Sequence, residues 1–292
     1  MPRFEARIVI LNYNGADLLP RCLPSIEKAV KTAKVPIAVT LLDNLSQDNG
    51  MKYAASHFPE FTRVSSRANR VLCSYNDYLR QITEPVVILL NNDIRVDPGF
   101  VDPLVARFQT DPEVFLVAPR VMSFDGATVE AGASKAGMAF GLFWCNARYQ
   151  GYEADVLTPS DTFSSGFGAV SREKFLALGS YDDLYLPGIM EDVDLCYRAR
   201  KAGYRLYYEP RSVVYHMGQA SFKKRYCTGR IAEIGWRNTF LFMWKNFSGL
   251  RFWLIHLSGL PVRMLAELLR GRVALIKGLA EALRLKIQQC FR

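Results

Sequence analysis

Short apolar runs rich in β-branched residues alternate with helical patterns along most of the chain. Five such runs end in polar residues or turn signals, at positions 7–11, 37–42, 61–64, 86–90 and 114–118. Helical patterns follow the first four of them, and the last of these helices carries Pro98 in its first turn. Apolar runs of this length are typical of buried strands. The alternation therefore predicts an α/β protein with a mostly parallel sheet and helices on both faces.

This rhythm stops between 121 and 162, a segment rich in Gly, Ala and aromatic residues. We expect loops and short hairpins near a site there. Regular patterns return as helices over 171–178 and 191–202 and strands over 205–208 and 213–215. The pattern predicts one domain over residues 1–220, followed by a distinct tail over 221–292.

Polar side chains follow two of the apolar runs directly. Asp43 ends the second run, and Asn91, Asn92 and Asp93 end the fourth. The carboxyl ends of parallel strands share one edge of the sheet, where open α/β sheets bind ligands. A carboxylate there can accept an N–H from a nucleobase, and an Asn-x-Asp pair can hold a divalent metal against phosphate oxygens. For Asp43 the alternative is a turn acid that caps the following loop.

A second acidic group begins the helix predicted over 191–202. It comprises Glu191, Asp192 and Asp194, and His216 ends a strand further along the chain. A carboxylate suits acid–base chemistry, and an imidazole suits a metal. The alternatives are acids that complement the helix dipole and a structural histidine. Three acids exceed what a helix cap needs, which favours a functional site.

The net charge of +9 comes from the end of the chain, because residues 222–292 hold 14 Lys and Arg against three Glu. From Val262 onward apolar residues recur at three- and four-residue steps, which predicts one amphipathic helix with a basic side. The segment 250–262 is apolar but interrupted by charges, and it is short for a membrane span. The tail also carries an aromatic set: Trp236, Phe240, Phe242, Trp244, Phe247, Phe252 and Trp253.

We expect this tail to bind an anionic membrane surface without crossing it, with the aromatic rings inserted at headgroup depth. Packing on the protein's own domain or in a homodimer is the alternative. A nucleic-acid partner is not expected, because the aromatics lie among aliphatic runs. The six cysteines form no Cys-x-x-Cys pair, and no signal peptide is expected before the first strand, so reduced thiols in the cytoplasm are predicted.

Taken together, these motifs resemble glycosyltransferase family two, and within it bacterial rhamnosyltransferase-like enzymes of surface-polysaccharide assembly. The resemblance covers residues 5–220. Its motifs are Val9-Ile10-Leu11-Asn12-Tyr13-Asn14, Leu42-Asp43-Asn44-Leu45-Ser46, Leu90-Asn91-Asn92-Asp93, Ser165-Gly166, Gly179-Ser180-Tyr181-Asp182, Glu191-Asp192-Val193-Asp194-Leu195-Cys196-Tyr197-Arg198 and Tyr215-His216-Met217-Gly218. It implies a GT-A fold, which is Rossmann-like, and an inverting sugar transfer.

The resemblance also implies roles for individual residues. Asp192 is the expected general base, with Glu191 beside it. Asp93, Asn91 and His216 are the expected ligands of Mn²⁺ or Mg²⁺. The expected contacts to the donor are Asn12, Asn14, Asp43, Asn76, Asn91, Asn92, Asp93 and Gly166.

The implied donor is a sugar linked to UDP, dTDP or GDP, and the implied acceptor is a glycan or a lipid-linked glycan. The enzyme is then expected on the cytoplasmic face of the bacterial inner membrane, as a peripheral protein.

Two departures from the family pattern qualify these expectations. Asn91 stands where the metal motif usually has an acid, which removes one charge. The segment 69–76, usually rich in glycine, contains none. Asn91 also leaves room for an alternative, a non-catalytic relative that binds nucleotide-sugars or glycans.

Overall fold

The computed structural model describes residues 5–149, 152–218 and 226–290. Its strands are β1 Ala6–Asn12, β2 Ile37–Asp43, β3 Thr62–Ser65, β4 Val86–Asn91, β5 Ile94–Val96, β6 Val114–Ser123, β7 Val129–Ala131, β8 Lys135–Ala139, β9 Leu142–Asn146, β10 Ser160–Asp161, β11 Gly168–Ser171 and β12 Arg205–His216. Its α-helices are α1 Leu19–Thr32, α2 Gly50–His57, α3 Tyr75–Leu79, α4 Val101–Thr110, α5 Tyr152–Asp155, α6 Arg172–Ala177, α7 Glu191–Lys201, α8 Thr228–Asn246, α9 Leu250–Leu269 and α10 Ala274–Cys290.

The main sheet runs in the order β10-β12-β6-β11-β4-β1-β2-β3, with β5 beside β12 and β7 beside β6. The β4–β1–β2–β3 portion is parallel, as the alternating pattern predicts. Strand β11 is antiparallel to both β4 and β6. The register sets Asn12 opposite Asp43 and Leu11 opposite Asn91, so the polar residues that end β4, β1 and β2 form one row.

The segment 121–162, where the alternating pattern stops, contains β7, the β8–β9 hairpin, α5 and β10. This agrees with the expectation of short hairpins. The two strands predicted over 205–215 are a single strand, β12, whose register against β6 shifts between Glu209 and Val213.

The tail differs from its prediction in two ways. The amphipathic helix expected from Val262 is divided, because α9 ends at Leu269 and α10 begins at Ala274. The apolar segment is longer than the expected 250–262, since α9 has 20 residues and is long and apolar enough, by length and composition alone, to cross a membrane.

A separate apolar core, called the third core below, joins the tail to the rest of the protein. It packs Phe240 and Phe242 of α8 against Phe143 of β9 and Met190 before α7. The rings of Phe240 and Phe242 are fully buried, so the expectation that they insert into lipid headgroups is wrong. The predicted boundary at residue 220 lies outside the described residues.

Candidate active site

The row of strand ends is held together by side-chain amides. Asn12 donates from Nδ2 to Asp43 Oδ1 over 3.1 Å and accepts at Oδ1 from Asn92 Nδ2 over 2.9 Å. Asp43 also accepts from the backbone N–H of Ser46 over 3.1 Å, as expected of a turn acid. All of Asn12, Asp43 and Asn92 are buried. The structure therefore brings three of the residues predicted to contact the nucleotide-sugar into one hydrogen-bonded network.

The loop after β1 depends on a close approach at Gly15. A Cβ atom there would lie 2.2 Å from Asn12 Oδ1 and 2.4 Å from Asn92 Nδ2, so no larger residue fits beside the network. Asn14, with φ near 49°, accepts from the backbone N–H of Gln47 over 2.8 Å. Asn14 thus links the loops after β1 and β2 at the edge of the row.

Asn76 lies apart from this row. Its amide pairs in both directions with the backbone of Tyr181, at 2.8 and 3.1 Å, which ties α3 to the segment before α7. The nearby loop without glycine places Val71 at a φ of 52°, in the left-handed region that a β-branched residue rarely enters. Asn44 holds this strained position by donating to the Val71 carbonyl over 3.3 Å.

Asp93 and His216 come together, as predicted. Strand β12 pairs with β5 next to Asp93, which brings His216 Nε2 within 3.5 Å of Asp93 Oδ2. The other ring nitrogen lies 3.2 Å from Glu130 Oε2. Burial acts to lower the pKa of His216, but the two carboxylates raise it more, so the net shift is upward.

The Asp93–His216 pair fits a divalent cation. Asp93 Oδ1 is buried without a hydrogen-bond partner among the described residues, although Oδ2 faces the imidazole. Asn91 ends β4, two residues before Asp93, and has an amide oxygen. The described ranges contain no group of three or more His, Cys, Asp or Glu placed to hold a metal. A cation would therefore take its remaining ligands from water or substrate phosphates, as Mg²⁺ usually does.

The start of α7 carries the predicted acid–base pair. Met190 precedes it in the left-handed region, with φ near 84°, and turns the chain so that Glu191 is buried while Asp192 stays partly exposed. Burial, and then the charge of Asp192, raises the pKa of Glu191 to about 8. Desolvation also raises the pKa of Asp192. Burial therefore favours the protonated form of Glu191, and Asp192 is the more exposed carboxyl group of the pair.

Asp194 has a different role from its two neighbours. It is fully buried and accepts from Tyr185 Oη over 2.8 Å and from Arg198 Nε over 2.8 Å. Lys245 and Asn246 at the end of α8 donate to it over 2.9 and 2.8 Å. Desolvation opposes ionisation, but the positive charge of Arg198 and these hydrogen bonds lower the pKa of Asp194 overall. With its oxygens occupied, Asp194 is a structural carboxylate.

One loop borders both the acid pair and the Asp93–His216 pair. A Cβ atom on Gly166 would lie 3.4 Å from Asp192 Oδ2, so that carboxylate borders the loop before β11. The next residue, Phe167, has its ring centroid 5.1 Å from that of His216. Asp192 and His216 thus flank consecutive residues of a single loop.

Sequence reasoning missed three residues that organise this region. Glu130 lies on a strand of only three residues, too short for its alternation to be recognised. Arg237 and Asn238 lie on α8, beyond the strong family pattern. Asn238 donates to the carbonyls of Tyr185, Gly188 and Ile189 over 2.7 to 2.8 Å, just before the acid pair. The signal available in the sequence was the polar Arg237-Asn238 pair, which stands among the aromatic residues of α8.

A model of the family described as Glycosyl transferase family 2 matches residues 7–178. The N-acetylglucosaminyl-diphospho-decaprenol L-rhamnosyltransferase of Mycobacterium tuberculosis (strain ATCC 25618 / H37Rv) is 28% identical, with 76% of this chain and 77% of that protein covered. The pre-mycofactocin glycosyltransferase of the same organism is 31% identical over 48% of this chain and 28% of its own length.

Solved structures with a similar fold include the mannosyltransferase PcManGT from Pyrobaculum calidifontis in complex with GDP-Man and Mn²⁺. It superposes with a TM-score of 0.58 at 18% identity, covering 95% of this chain and 74% of that chain. GalNAc-T7 with UDP, GalNAc and Mn²⁺ gives a TM-score of 0.59 at 19% identity, covering 74% of this chain and 44% of that chain. These likenesses confirm the predicted GT-A fold.

Proposed function

The chain belongs to glycosyl transferase family 2, and from that premise we propose that it transfers a sugar from a nucleotide-diphosphate donor to a lipid-linked glycan with inversion at the anomeric carbon. The observation that carries the proposal is the loop bearing Gly166 and Phe167, which borders Asp192 on one side and His216 on the other. The proposed base for the acceptor and the proposed metal-binding pair for the donor therefore both lie beside one loop.

Asp192 acts as the general base. An acceptor hydroxyl is a weak nucleophile and must lose its proton as it attacks the anomeric carbon. The partly exposed carboxylate of Asp192 takes that proton, while the protonated Glu191 beside it adds no second negative charge. One displacement then inverts the sugar without a covalent intermediate.

Asp93, His216 and Asn91 would hold Mn²⁺ or Mg²⁺ together with the donor. When bound, the cation offsets the negative charge that grows on the departing diphosphate. The buried Asp93 Oδ1, which has no partner among the described residues, supports this assignment. Asp43 and the Asn12–Asn92 pair line the strand ends where the nucleoside would lie, Asn14 borders them, and Gly166 lies beside Asp192.

The relative named as a rhamnosyltransferase supports a rhamnosyl donor and a polyprenyl-diphosphate acceptor as the first pair to test. Such an acceptor lies in a membrane, whereas nucleotide-sugars are soluble. The basic tail supports a peripheral position at the cytoplasmic face of a bacterial inner membrane, in synthesis of cell-surface polysaccharide.

The decisive experiment replaces the carboxylate of Asp192 without changing its shape. Asp192→Asn should lower turnover by about 100-fold or more, because base catalysis is lost. Donor affinity, measured by calorimetry, should change little. The matched control is Glu173→Gln, an exposed acid in the first turn of α6, which should keep full turnover. Assays should combine dTDP-, UDP- and GDP-sugars with polyprenyl-diphosphate N-acetylglucosamine and Mn²⁺.

The alternative of a non-catalytic binding protein rests on Asn91 in the metal motif. It predicts that the unaltered protein binds a nucleotide-sugar but neither transfers nor hydrolyses it with any donor in the panel. Near-normal transfer by Asp192→Asn would instead remove Asp192 from the role of base.

A further inference from the structure

One face of α9 is exposed and almost wholly apolar. Several of its aliphatic side chains are about half exposed or more: Leu250, Leu254, Ile255, Leu257, Val262, Leu265, Leu268 and Leu269. At 100° per residue these positions share one side of the helix. A helix of 20 residues is about 30 Å long, so this apolar stripe is far larger than a scattered surface leucine.

Of the ionisable groups within α9, three lie on the opposite side, and the fourth, Arg251, is exposed in the first turn. His256 and Glu267 are buried, and Arg263 is half-buried beside Glu267, with 3.4 Å between the charged groups. His256 lies 2.7 Å from the carbonyl oxygen of Gly141 and stacks on Phe252. Beyond the first turn of α9, the ionisable groups therefore all lie on the side packed on the protein.

The β8–β9 hairpin extends this apolar stripe. Its turn consists of Phe140 and Gly141, both with positive φ, and α9 crosses it closely. A Cβ atom on Gly259 would lie 2.4 Å from the Phe140 carbonyl oxygen, so helix and turn are in backbone contact. Yet the Phe140 side chain is 69% exposed, and nearby Met138 is 41% exposed. Turns of this kind favour Asn-Gly, so an exposed phenylalanine there strains the backbone and buries little surface in return.

Positive charge borders the apolar surface. Arg251 at the start of α9 and Arg270 and Arg272 just after its end are all exposed. The three described acids of the tail are each shared by more than one basic residue, so positive charge remains in excess. Glu267 is shared by Arg263, Arg270 and Arg272, and Glu233 and Glu281 both contact Arg230. An apolar centre with a cationic rim matches the interface of an anionic bilayer.

We infer that the outer face of α9 and the hairpin tip at Met138 and Phe140, together the apolar platform, insert side by side into an anionic bilayer. Helix α9 lies along the membrane plane, because its inner face packs in the third core through Phe252, Leu260 and Met264. The hairpin tip is a second insertion point that fixes the rotation of the domain. The inference specifies the membrane contact in the proposed function, but it does not depend on the reaction.

Sedimentation with vesicles of phosphatidylglycerol and phosphatidylcholine tests the platform. Leu254→Asp and Phe140→Asp should each lower the vesicle affinity about tenfold or more, since each removes the burial of one large apolar side chain. Leu45→Asp is the matched control, because Leu45 is similarly exposed, at 46%, in the loop after β2. It should bind as the unaltered protein does. The variants should unfold at the same temperature as the unaltered protein. A loss of vesicle affinity then reports weaker binding and not unfolding.

Fluorescence of Trp253, 39% exposed on α9, measures depth in vesicles with brominated acyl chains. Quenching should be strongest for bromines near the headgroups and should disappear in Trp253→Phe. Strongest quenching at the bilayer centre would overturn the in-plane orientation. Binding of both Asp variants equal to that of Leu45→Asp would overturn the platform itself. So would a dimer in light scattering that Phe140→Asp dissociates, because the occupant would then be a second copy of the chain.

Discussion

Two aspartates of α7, two positions apart, have opposite pKa shifts. Asp192 is desolvated and has no cationic partner in the described part of the chain, so its pKa rises, whereas Arg198 and the hydrogen bonds from Lys245 and Asn246 lower that of Asp194. The residue pattern identifies the acid cluster, and only the family resemblance selects Asp192 within it as the expected base. The distinction comes from α8, whose end reaches Asp194 and not Asp192.

Asp194→Asn should destabilise the fold strongly at neutral pH. Removing one partner of a buried ion pair costs about 3–5 kcal/mol. Because the folded pKa of Asp194 is lowered, its stabilisation is present above the unfolded pKa and is lost as pH falls through the folded pKa. Urea unfolding should therefore show a large difference from the unaltered protein at pH 7 that narrows in acid. An equal difference at both pH values would show that charge is not the cause.

The carboxylate of Glu130 should hold His216 in position for the metal. Partners behind a metal-binding histidine typically change metal affinity by about 10–100-fold when removed. Glu130→Ala should weaken Mn²⁺ binding in the presence of a nucleoside diphosphate about tenfold, while Glu130→Gln, which can still accept from Nδ1, should weaken it less. Asp93→Ala and His216→Ala should weaken it most.

Electron paramagnetic resonance of free Mn²⁺ measures these affinities without turnover. Glu113→Gln, an exposed acid before β6, is the control and should bind Mn²⁺ normally. Normal affinity in His216→Ala would remove the histidine from the metal site, and full activity in EDTA would show that the enzyme needs no metal.

At the scale of elements, the prediction succeeds where a strand is long and buried on both faces. Strands β1, β2 and β4 are such strands, and their apolar runs end where the polar row begins. It fails for β7 and β10, which have three and two residues and are half exposed, so neither period nor burial marks them. The amphipathic pattern of the tail shows that one side is apolar, but it cannot show whether protein or lipid covers that side.

Helix α8 holds the loop that presents the acid pair. Ile189 and Met190 both have positive φ, which is costly for residues other than glycine. Asn238, fully buried, offsets that cost by donating to three carbonyls of the loop, and Arg237 donates to the Leu186 carbonyl. A helix outside the matched family region therefore sets the position of Asp192.

Asn238→Ala should lower kcat by about tenfold, because a small misplacement of a catalytic group is costly, and leave the donor KM within about twofold. Thr239→Val is the matched control, since among the described residues the Thr239 hydroxyl bonds within α8, to the Gly235 carbonyl over 2.9 Å. It should have normal kcat. Equal losses of kcat in the two variants would indicate general loosening of α8 rather than loss of the clamp.

At the scale of the whole molecule, the tail is both a core element and a surface element. The first helix of the tail, α8, completes the third core with Phe143 and Met190. The second, α9, carries the helical part of the apolar platform on its outer face. The net positive charge of the chain comes from the same residues. Net charge and hydropathy therefore predict the outer side of the tail. The packing of its inner side follows only from the contacts of α8 with β9 and α7 in the structure.

Removing residues 222–292 should leave a protein that does not fold stably, although the pattern along the chain predicts a separable tail. The deletion would expose Leu142, Phe143 and Met190, each buried in the third core, and would leave Asp194 without Lys245 and Asn246. Exposing each large apolar side chain costs about 1.5–3 kcal/mol, and together these losses approach the whole stability of a typical domain. Circular dichroism and binding of a hydrophobic dye to the shortened chain measure the outcome. A cooperative melt with normal nucleotide binding would show instead that residues 1–221 fold independently.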